Sequence, residues 1–119
     1  MRQERAVLVV EDDSDVLDFL VLLLLDAGYR VRTAMDGREA LDVISGWRPD
    51  LILLDLMMPK MDGRAFLNRR QVDPGLSDIP VVLMSASTAI DSHPPPADAL
   101  LPKPFTIDHL LMHVESLTA

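Results

Sequence analysis

Five residues of this chain carry side chains that could hold a cation and a phosphate, and each follows a short apolar run. Glu11 and Asp12 follow the first run, Asp55 the third, Ser85 the fourth and Lys103 the fifth. Carboxylates that converge without cysteine or histidine suit a hard cation such as Mg²⁺, which keeps several waters and leaves room for a phosphate. A hydroxyl and an ammonium group complete the set. These residue types therefore predict a cation site with room for a phosphate.

Such a site requires elements that bring the ends of these runs together. Short apolar runs bounded by turn residues are typical of strands buried on both faces, and such strands belong to parallel sheets covered by helices. We predict five strands: Ala6–Val10, Tyr29–Ala34, Leu51–Leu54, Ile79–Met84 and Ala99–Leu101.

Helices are predicted after these strands from their caps and apolar spacing. Asp13 or Ser14 can cap the first helix, and Gly28 ends it. On its polar face Leu22 is expected to be exposed among acidic residues, which makes it a modest candidate for a partner site. The predicted helices are Asp15–Ala27, one from the Asp36-Gly37 cap to Ser45, one from Gly63 to Arg70, and a last one capped by Thr106 with its apolar positions at Ile107, Leu110, Leu111 and Val114.

Strands that alternate with helices predict an α/β fold, a doubly wound five-stranded parallel sheet with helices on both faces. Flavodoxin-like folds have the strand order 2-1-3-4-5, and we take the order from that fold class. Strands 1 and 3 are then neighbours, so Glu11, Asp12 and Asp55 meet in one crevice. Between strands 4 and 5, the run from His93 to Pro96 cannot continue a helix, because proline lacks the amide donor. The helix there is expected to be short or missing.

The composition predicts one globular domain spanning residues 1–119. The chain is 49% hydrophobic and 25% charged, with a net charge of −8 and no cysteine, and it has enough apolar mass for a single core. Its acidity opposes direct binding to nucleic acid or to anionic membranes. The longest apolar run, Phe19–Leu25, is far below the ~18 residues of a membrane span, and no signal peptide opens the chain. The lack of cysteine fits a reducing compartment, and we expect a cytoplasmic protein.

Four motifs occur together and in order: Val9–Asp13, Asp55–Pro59 with Met61–Gly63, Ser85-Ala86, and Lys103–Phe105. In this combination the chain resembles the receiver domain of two-component response regulators over essentially its whole length. Each motif alone is weak, but four in register are specific. The resemblance implies a phosphoacceptor domain of a phosphorelay with Mg²⁺ as cofactor. Such a domain is not an enzyme on other substrates, since it catalyses only its own phosphorylation and dephosphorylation.

The resemblance also implies a role for each acidic residue. Asp55 would take a phosphoryl group from a phosphohistidine on a sensor histidine kinase or a histidine phosphotransfer protein. A carboxylate ionised at neutral pH needs no general base for this step. Asp12, Asp55 and the main-chain carbonyl of Met57 would bind Mg²⁺, while Glu11 would hold a metal-bound water.

For the phosphorylated state, the resemblance implies two further contacts. Lys103 would pair with the phosphoryl oxygens, and Ser85 would hydrogen-bond them once the group is attached. The Lys103–Pro104 peptide bond would be cis, as in the family. Water in line with the same site would later hydrolyse the acyl phosphate.

Two features depart from the family's pattern. Leu100 stands two residues before the Pro102-Lys103 pair, where receivers that signal through a switching ring usually have an aromatic residue. The prolines interrupt the helix on which the family's usual dimer and output face is built. These features argue against an aromatic switch and against the common dimer mode, and the sequence leaves the oligomeric state open.

Other interpretations account for parts of the pattern. A pseudo-receiver, which binds a protein partner without phosphorylation, is the main alternative, and the intact set of site residues argues against it. A phosphatase of the haloacid-dehalogenase type would want a second aspartate two residues after the nucleophile, where this chain has Met57. His109 and His113 are spaced like a metal pair on the last helix, but we interpret them as a solvated face because no third ligand is evident.

Overall fold

The computed structural model describes residues 4–56, 63–85 and 97–119. The strands in these ranges are β1 (Ala6–Val10), β2 (Arg30–Ala34), β3 (Leu51–Asp55), β4 (Val81–Ser85) and β5 (Ala99–Pro102). The helices are α1 (Ser14–Asp26), α2 (Gly37–Gly46), α3 (Gly63–Val72) and α4 (Ile107–Thr118). None of these four described helices is long and apolar enough to cross a membrane.

The five strands form one parallel sheet in the order β2-β1-β3-β4-β5. This order confirms the predicted flavodoxin-like fold. In the pairing of β1 with β3, Val9 lies opposite Leu53 and Val10 lies opposite Leu54. The next residues of the two strands, Glu11 and Asp55, therefore reach the carboxyl edge of the sheet side by side.

Successive side chains of a strand point to opposite sides of the sheet. Both faces therefore carry apolar side chains, and helices cover both faces. Every residue of β1, β3 and β4 is buried, and burial of a large aliphatic side chain stabilises the fold by about 1.5–3 kcal/mol. One face packs against α2 and α3 through Ala40, Phe66 and Leu67. The other face packs against α1 and α4 through Leu20, Leu24, Leu110 and Val114.

The first helix begins at the cap that the sequence predicted. Asp13 rather than Ser14 is the cap, and its carboxylate accepts hydrogen bonds from two amides of the first turn at 3.0 and 3.3 Å. Gly28 follows the helix with a φ of +97°, a conformation that favours glycine. Because Asp13 caps the helix, Glu11 and Asp12 are the two acids of this triplet that remain for the crevice.

Several apolar residues on the helices are exposed. Leu22 is 68% exposed as predicted, and Phe19 and Leu25 on the same helix are exposed as well. On α4, Ile107 is 45% exposed, although its position follows the apolar spacing of the helix. Ile107 is the first residue of its helix, whereas Leu110, one turn later, is fully buried against the sheet.

Two predictions lie outside the described residues. The short or missing helix between β4 and β5 was predicted for a segment that includes residues 86–96, and the proposed metal ligand Met57 belongs to residues 57–62.

Candidate functional site

Three carboxylates meet at the carboxyl edge of the sheet. Ligand oxygens of Glu11, Asp12 and Asp55 lie within 4.8 Å of one another. The parallel pairing of β1 with β3 explains this arrangement, because the two strands end next to each other. Glu11 and Asp55 are only 1% and 6% exposed, whereas Asp12 is open to solvent. The structure thus brings together three of the residues that the sequence singled out.

Lys103 reaches this cluster from the residue after β5. Its Nζ lies 3.4 Å from Oε1 of Glu11 and 3.5 Å from Oδ1 of Asp55. The Lys103 amide donates a 2.9 Å hydrogen bond to the carbonyl of Ser85, which extends the β4–β5 pairing by one step. The Lys103–Pro104 peptide bond is cis, as the resemblance implied. One ammonium group therefore contacts two carboxylates at the outer limit of hydrogen-bond distance.

The carboxyl group of Glu11 lies where a negative charge is unfavourable. Burial raises its pKa, the neighbouring Asp55 carboxylate raises it further, and Lys103 opposes the shift in part, so that the pKa moves from 4.5 to about 8. Within the described residues, the buried Oε2 of Glu11 has no hydrogen-bond partner. A buried oxygen without a partner costs free energy, so this end of the cluster would gain from a cation or an ordered water.

The donor set fits Mg²⁺. The three ligand groups offer oxygen atoms only, which is the preference of hard divalent cations. In the part of the chain that the structure describes, this cluster is the only group of three or more acidic, histidine or cysteine side chains arranged to hold a metal. The unpaired Oε2 of Glu11 also fits, because it can accept a hydrogen bond from a metal-bound water.

Ser85 lies at the same edge of the sheet. It is the last residue of β4 and is 2% exposed. Asp55 pairs with Met84 on this neighbouring strand, so Ser85 stands one residue beyond the partner of Asp55. The fold therefore places Ser85, the last of the five predicted side chains, beside Asp55 along the sheet. Met57 lies outside the described residues.

The sequence does not predict an apolar hollow of about 420 Å³ beside Lys103. It is lined by Val16, Pro104 and Phe105 together with Lys103. The only signal for it in the sequence is the apolar pair that follows the lysine, since the contribution of Val16 depends on how α1 packs. A larger hollow of about 740 Å³ lies at the amino edge of the sheet, beside Tyr29, and none of Glu11, Asp12 and Asp55 lines it.

Comparison with known proteins agrees with this fold. Residues 7–115 match the family model of the response regulator receiver domain. Response regulator MprA of Mycolicibacterium vanbaalenii is 39% identical over 115 residues, which cover 93% of this chain and 49% of that protein. The chain spans about half the length of the curated relatives that it matches first.

The similar solved structures include receiver domains and response regulators. The signal receiver domain of a signal transduction histidine kinase from Syntrophus aciditrophicus matches with a TM-score of 0.90 and 34% identity, over 96% of this chain and 89% of that chain. Response regulator TrrA from Thermotoga maritima, solved in complex with Mg²⁺–BeF, matches with a TM-score of 0.84 and 28% identity, over 95% and 98% of the two chains.

The fold and the acidic crevice are those of a signalling domain. The chain belongs to the response regulator receiver domain family of two-component systems. Members of this family normally interact with histidine kinases.

Proposed function

We propose that this domain is a phosphoacceptor in which Asp55 takes a phosphoryl group in a Mg²⁺-dependent reaction, and that the change of state regulates a partner or an attached domain. The observation that carries the proposal is the cluster of Glu11, Asp12 and Asp55 within 4.8 Å, with the Lys103 ammonium 3.4 and 3.5 Å from two of them. Phosphoryl transfer depends on positioning and charge neutralisation more than on covalent chemistry by the protein. The crevice offers both.

Asp55 is the nucleophile in this proposal. One of its carboxylate oxygens forms a bond to the phosphorus of a phosphohistidine, the P–N bond breaks, and its electron pair stays on the imidazole nitrogen. The product is an acyl phosphate on Asp55 and a free histidine. A carboxylate needs no general base for this attack. Water later attacks the phosphorus, which releases inorganic phosphate and restores the carboxylate.

Lys103 and Ser85 hold the transferred group. The Lys103 ammonium is shared between Glu11 and Asp55 before transfer. When Asp55 becomes an acyl phosphate its carboxylate charge is lost, so the ammonium pairs with the phosphoryl oxygens instead. The Ser85 hydroxyl donates a hydrogen bond to the same group, from one residue beyond the strand partner of Asp55.

Mg²⁺ would be held by Asp12, Asp55 and the main-chain carbonyl of Met57, with Glu11 holding a metal-bound water. When bound, the ion supplies positive charge against the oxygens of the phosphoryl group. The all-oxygen donor set and the unpaired Oε2 of Glu11 support this assignment. The complex of TrrA with Mg²⁺–BeF supports it by analogy.

The phosphoryl donor in this proposal is a sensor histidine kinase or a histidine phosphotransfer protein in the cytoplasm. Family membership supports a kinase as the partner. The net charge of −8 argues against direct binding to nucleic acid or to an anionic membrane. Residues 1–119 are proposed to form a single receiver domain.

The test is intact-mass spectrometry after incubation with acetyl phosphate and Mg²⁺. The wild type is compared with Asp55→Asn, with Asp26→Asn as a matched control on the exposed end of α1, and with wild type in EDTA. We expect a single phosphate adduct in the wild type and the control variant only. Its removal by hydroxylamine would identify an acyl phosphate.

Two results would contradict the proposal. An adduct that persists in Asp55→Asn would move the acceptor to another residue. The absence of an adduct, both from acetyl phosphate and from a panel of phosphorylated histidine kinases, would refute the phosphoacceptor function. The pseudo-receiver, which binds a partner without phosphorylation, would then be the better interpretation.

A further inference from the structure

The first residue of α3 lies directly against the backbone of the residue proposed to accept phosphate. The amide of Gly63 donates a 2.8 Å hydrogen bond to the carbonyl of Leu56. A Cβ atom built on Gly63 would lie 2.5 Å from the carbonyl oxygen of Asp55, 2.6 Å from Cα of Leu56 and 3.0 Å from the carbonyl oxygen of Leu56. Favourable contacts between carbon atoms lie at about 3.5–4.0 Å, so no side chain fits here without a displacement.

This requirement for glycine is steric and not conformational. Among the described glycines, only Gly28 has a positive φ. The backbone of Gly63 is thus one that alanine can adopt, and alanine is the better helix former. The contact with the end of β3 is what excludes a side chain.

The atoms that a side chain would meet cannot swing away, because they belong to backbone. Asp55 is paired with Met84 of β4, and the amide of Leu56 donates a 3.0 Å hydrogen bond to the carbonyl of Met84. Either the end of β3 or the start of α3 must therefore move. The Asp55 carboxylate meets the Lys103 ammonium at 3.5 Å, so a shift of a few tenths of an ångström is enough to break this contact.

We infer that Gly63 is a positioning residue for Asp55: the missing side chain lets α3 begin in contact with the end of β3 and so holds the carboxylate within reach of Lys103 and Glu11. This inference rests on the proposed function, because it assigns Gly63 a role in Mg²⁺ binding and in phosphorylation. Gly63 itself touches neither group. It acts through the backbone of Asp55 and Leu56.

The test compares Gly63→Ala with Gly46→Ala. Gly46 is the last residue of α2, and a Cβ atom there has no atom within 4 Å, so it is a matched control for the same substitution in a helix. For each variant we would measure the dissociation constant for Mg²⁺ by calorimetry, the initial rate of phosphorylation by acetyl phosphate, and the distance from Asp55 to Lys103 in a crystal structure.

We expect Gly63→Ala to remain folded by circular dichroism, with Mg²⁺ binding weakened and phosphorylation slowed by at least tenfold. Its Asp55–Lys103 distance should exceed the 3.5 Å of the parent chain, and Gly46→Ala should match the wild type. Values for Gly63→Ala within twofold of the wild type would overturn the inference. If the variant is unfolded, the measurements are repeated in sucrose, which favours the compact state.

A Gly63→Ala chain that stays unfolded in sucrose and Mg²⁺ would also overturn the inference, since Gly63 would then serve the fold as a whole. Failure of the proposed function gives a different pattern. If the wild type takes up no phosphate, the phosphoacceptor proposal fails, while Mg²⁺ binding and the crystallographic distance still report whether Gly63 positions Asp55.

Discussion

Replacement of Lys103 by methionine is expected to strengthen Mg²⁺ binding and to weaken phosphorylation at the same time. The ammonium group lies 3.4 Å from Glu11 and 3.5 Å from Asp55, and it competes with a metal ion for these carboxylates. Methionine keeps an unbranched apolar stem of similar shape without the charge. Removal of the charge therefore removes a competitor for the metal, but it also removes the proposed partner of the phosphoryl oxygens.

The size of the effect follows from the distances and the exposure. A pair of unit charges at this separation interacts by about 1 kcal/mol in bulk water and by about 4–5 kcal/mol at an effective dielectric constant of about 20. The Lys103 side chain is 26% exposed, so the effective value lies between these limits, and part of it is lost to rehydration. A net gain of about 1–2 kcal/mol corresponds to Mg²⁺ binding that is roughly five- to thirtyfold tighter.

The assay is calorimetric titration with Mg²⁺ at a series of pH values from 8 upward, because the pKa of Glu11 is about 8 and rises further when Lys103, which lowers it, is removed. The two chains are compared where Mg²⁺ binding no longer changes with pH, so that protonation of Glu11 does not mask the change. Lys103→Arg keeps the charge and is the matched control, with binding close to the wild type. The rate of phosphorylation by acetyl phosphate should fall by about a hundred- to a thousandfold in Lys103→Met, as for the loss of one group that stabilises transition-state charge. Unchanged or weaker Mg²⁺ binding in Lys103→Met would refute the electrostatic reasoning.

Three other outcomes follow from the structure. Asp98→Ala should lower the free energy of unfolding by about 2 kcal/mol in urea, and Asp98→Asn should lower it less. One carboxylate oxygen of Asp98 accepts both the 2.9 Å contact from the buried Arg70 and the 2.8 Å hydrogen bond from the Val81 amide, and the side-chain oxygen of asparagine can take its place. Equal losses in the two variants would contradict this. In EDTA the free energy of unfolding should fall as the pH rises from 4.5 to about 8, because folded Glu11 keeps a proton that the unfolded chain has released, and Glu11→Gln should abolish this slope relative to the wild type. Asp12→Asn should weaken Mg²⁺ binding at least tenfold in calorimetry, because one carboxylate of the cluster is lost. The stability in urea should not fall, since Asp12 is exposed and lies among like charges. A destabilised variant would mean that Asp12 contributes to folding and not only to metal binding.

The framework of the site could be predicted from the sequence because it depends on local patterns. Short apolar runs predicted the strands, two of these runs are followed by acids, and the known strand order of the fold class made Glu11 and Asp55 neighbours. The acidic face of α1 with Leu22 exposed could also be predicted, because it depends on helical periodicity alone. In these cases the sequence pattern and the three-dimensional arrangement are linked by a fixed geometric repeat.

Features that depend on contacts between distant residues could not be predicted in this way. Arg70 was expected only as the end of a helix, but it is buried, and its Nε donates a 2.9 Å hydrogen bond to the carbonyl of Ile79. Charged residues are rarely buried without partners, and its partner Asp98 is 28 residues away in the chain. The steric need for glycine at position 63 has the same origin, because it arises from the approach of α3 to the end of β3.

The charges of the crevice explain why a divalent ion suits it. Three carboxylates and one ammonium group leave a formal charge of −2 when all are ionised. Without a metal, the raised pKa of Glu11 lets the site reduce this charge by keeping a proton near neutral pH. An ion of charge +2 balances the ionised cluster, so metal binding and release of the Glu11 proton are expected to be coupled. A monovalent cation would leave a net negative charge in the crevice, and this charge would oppose the approach of a phosphoryl group.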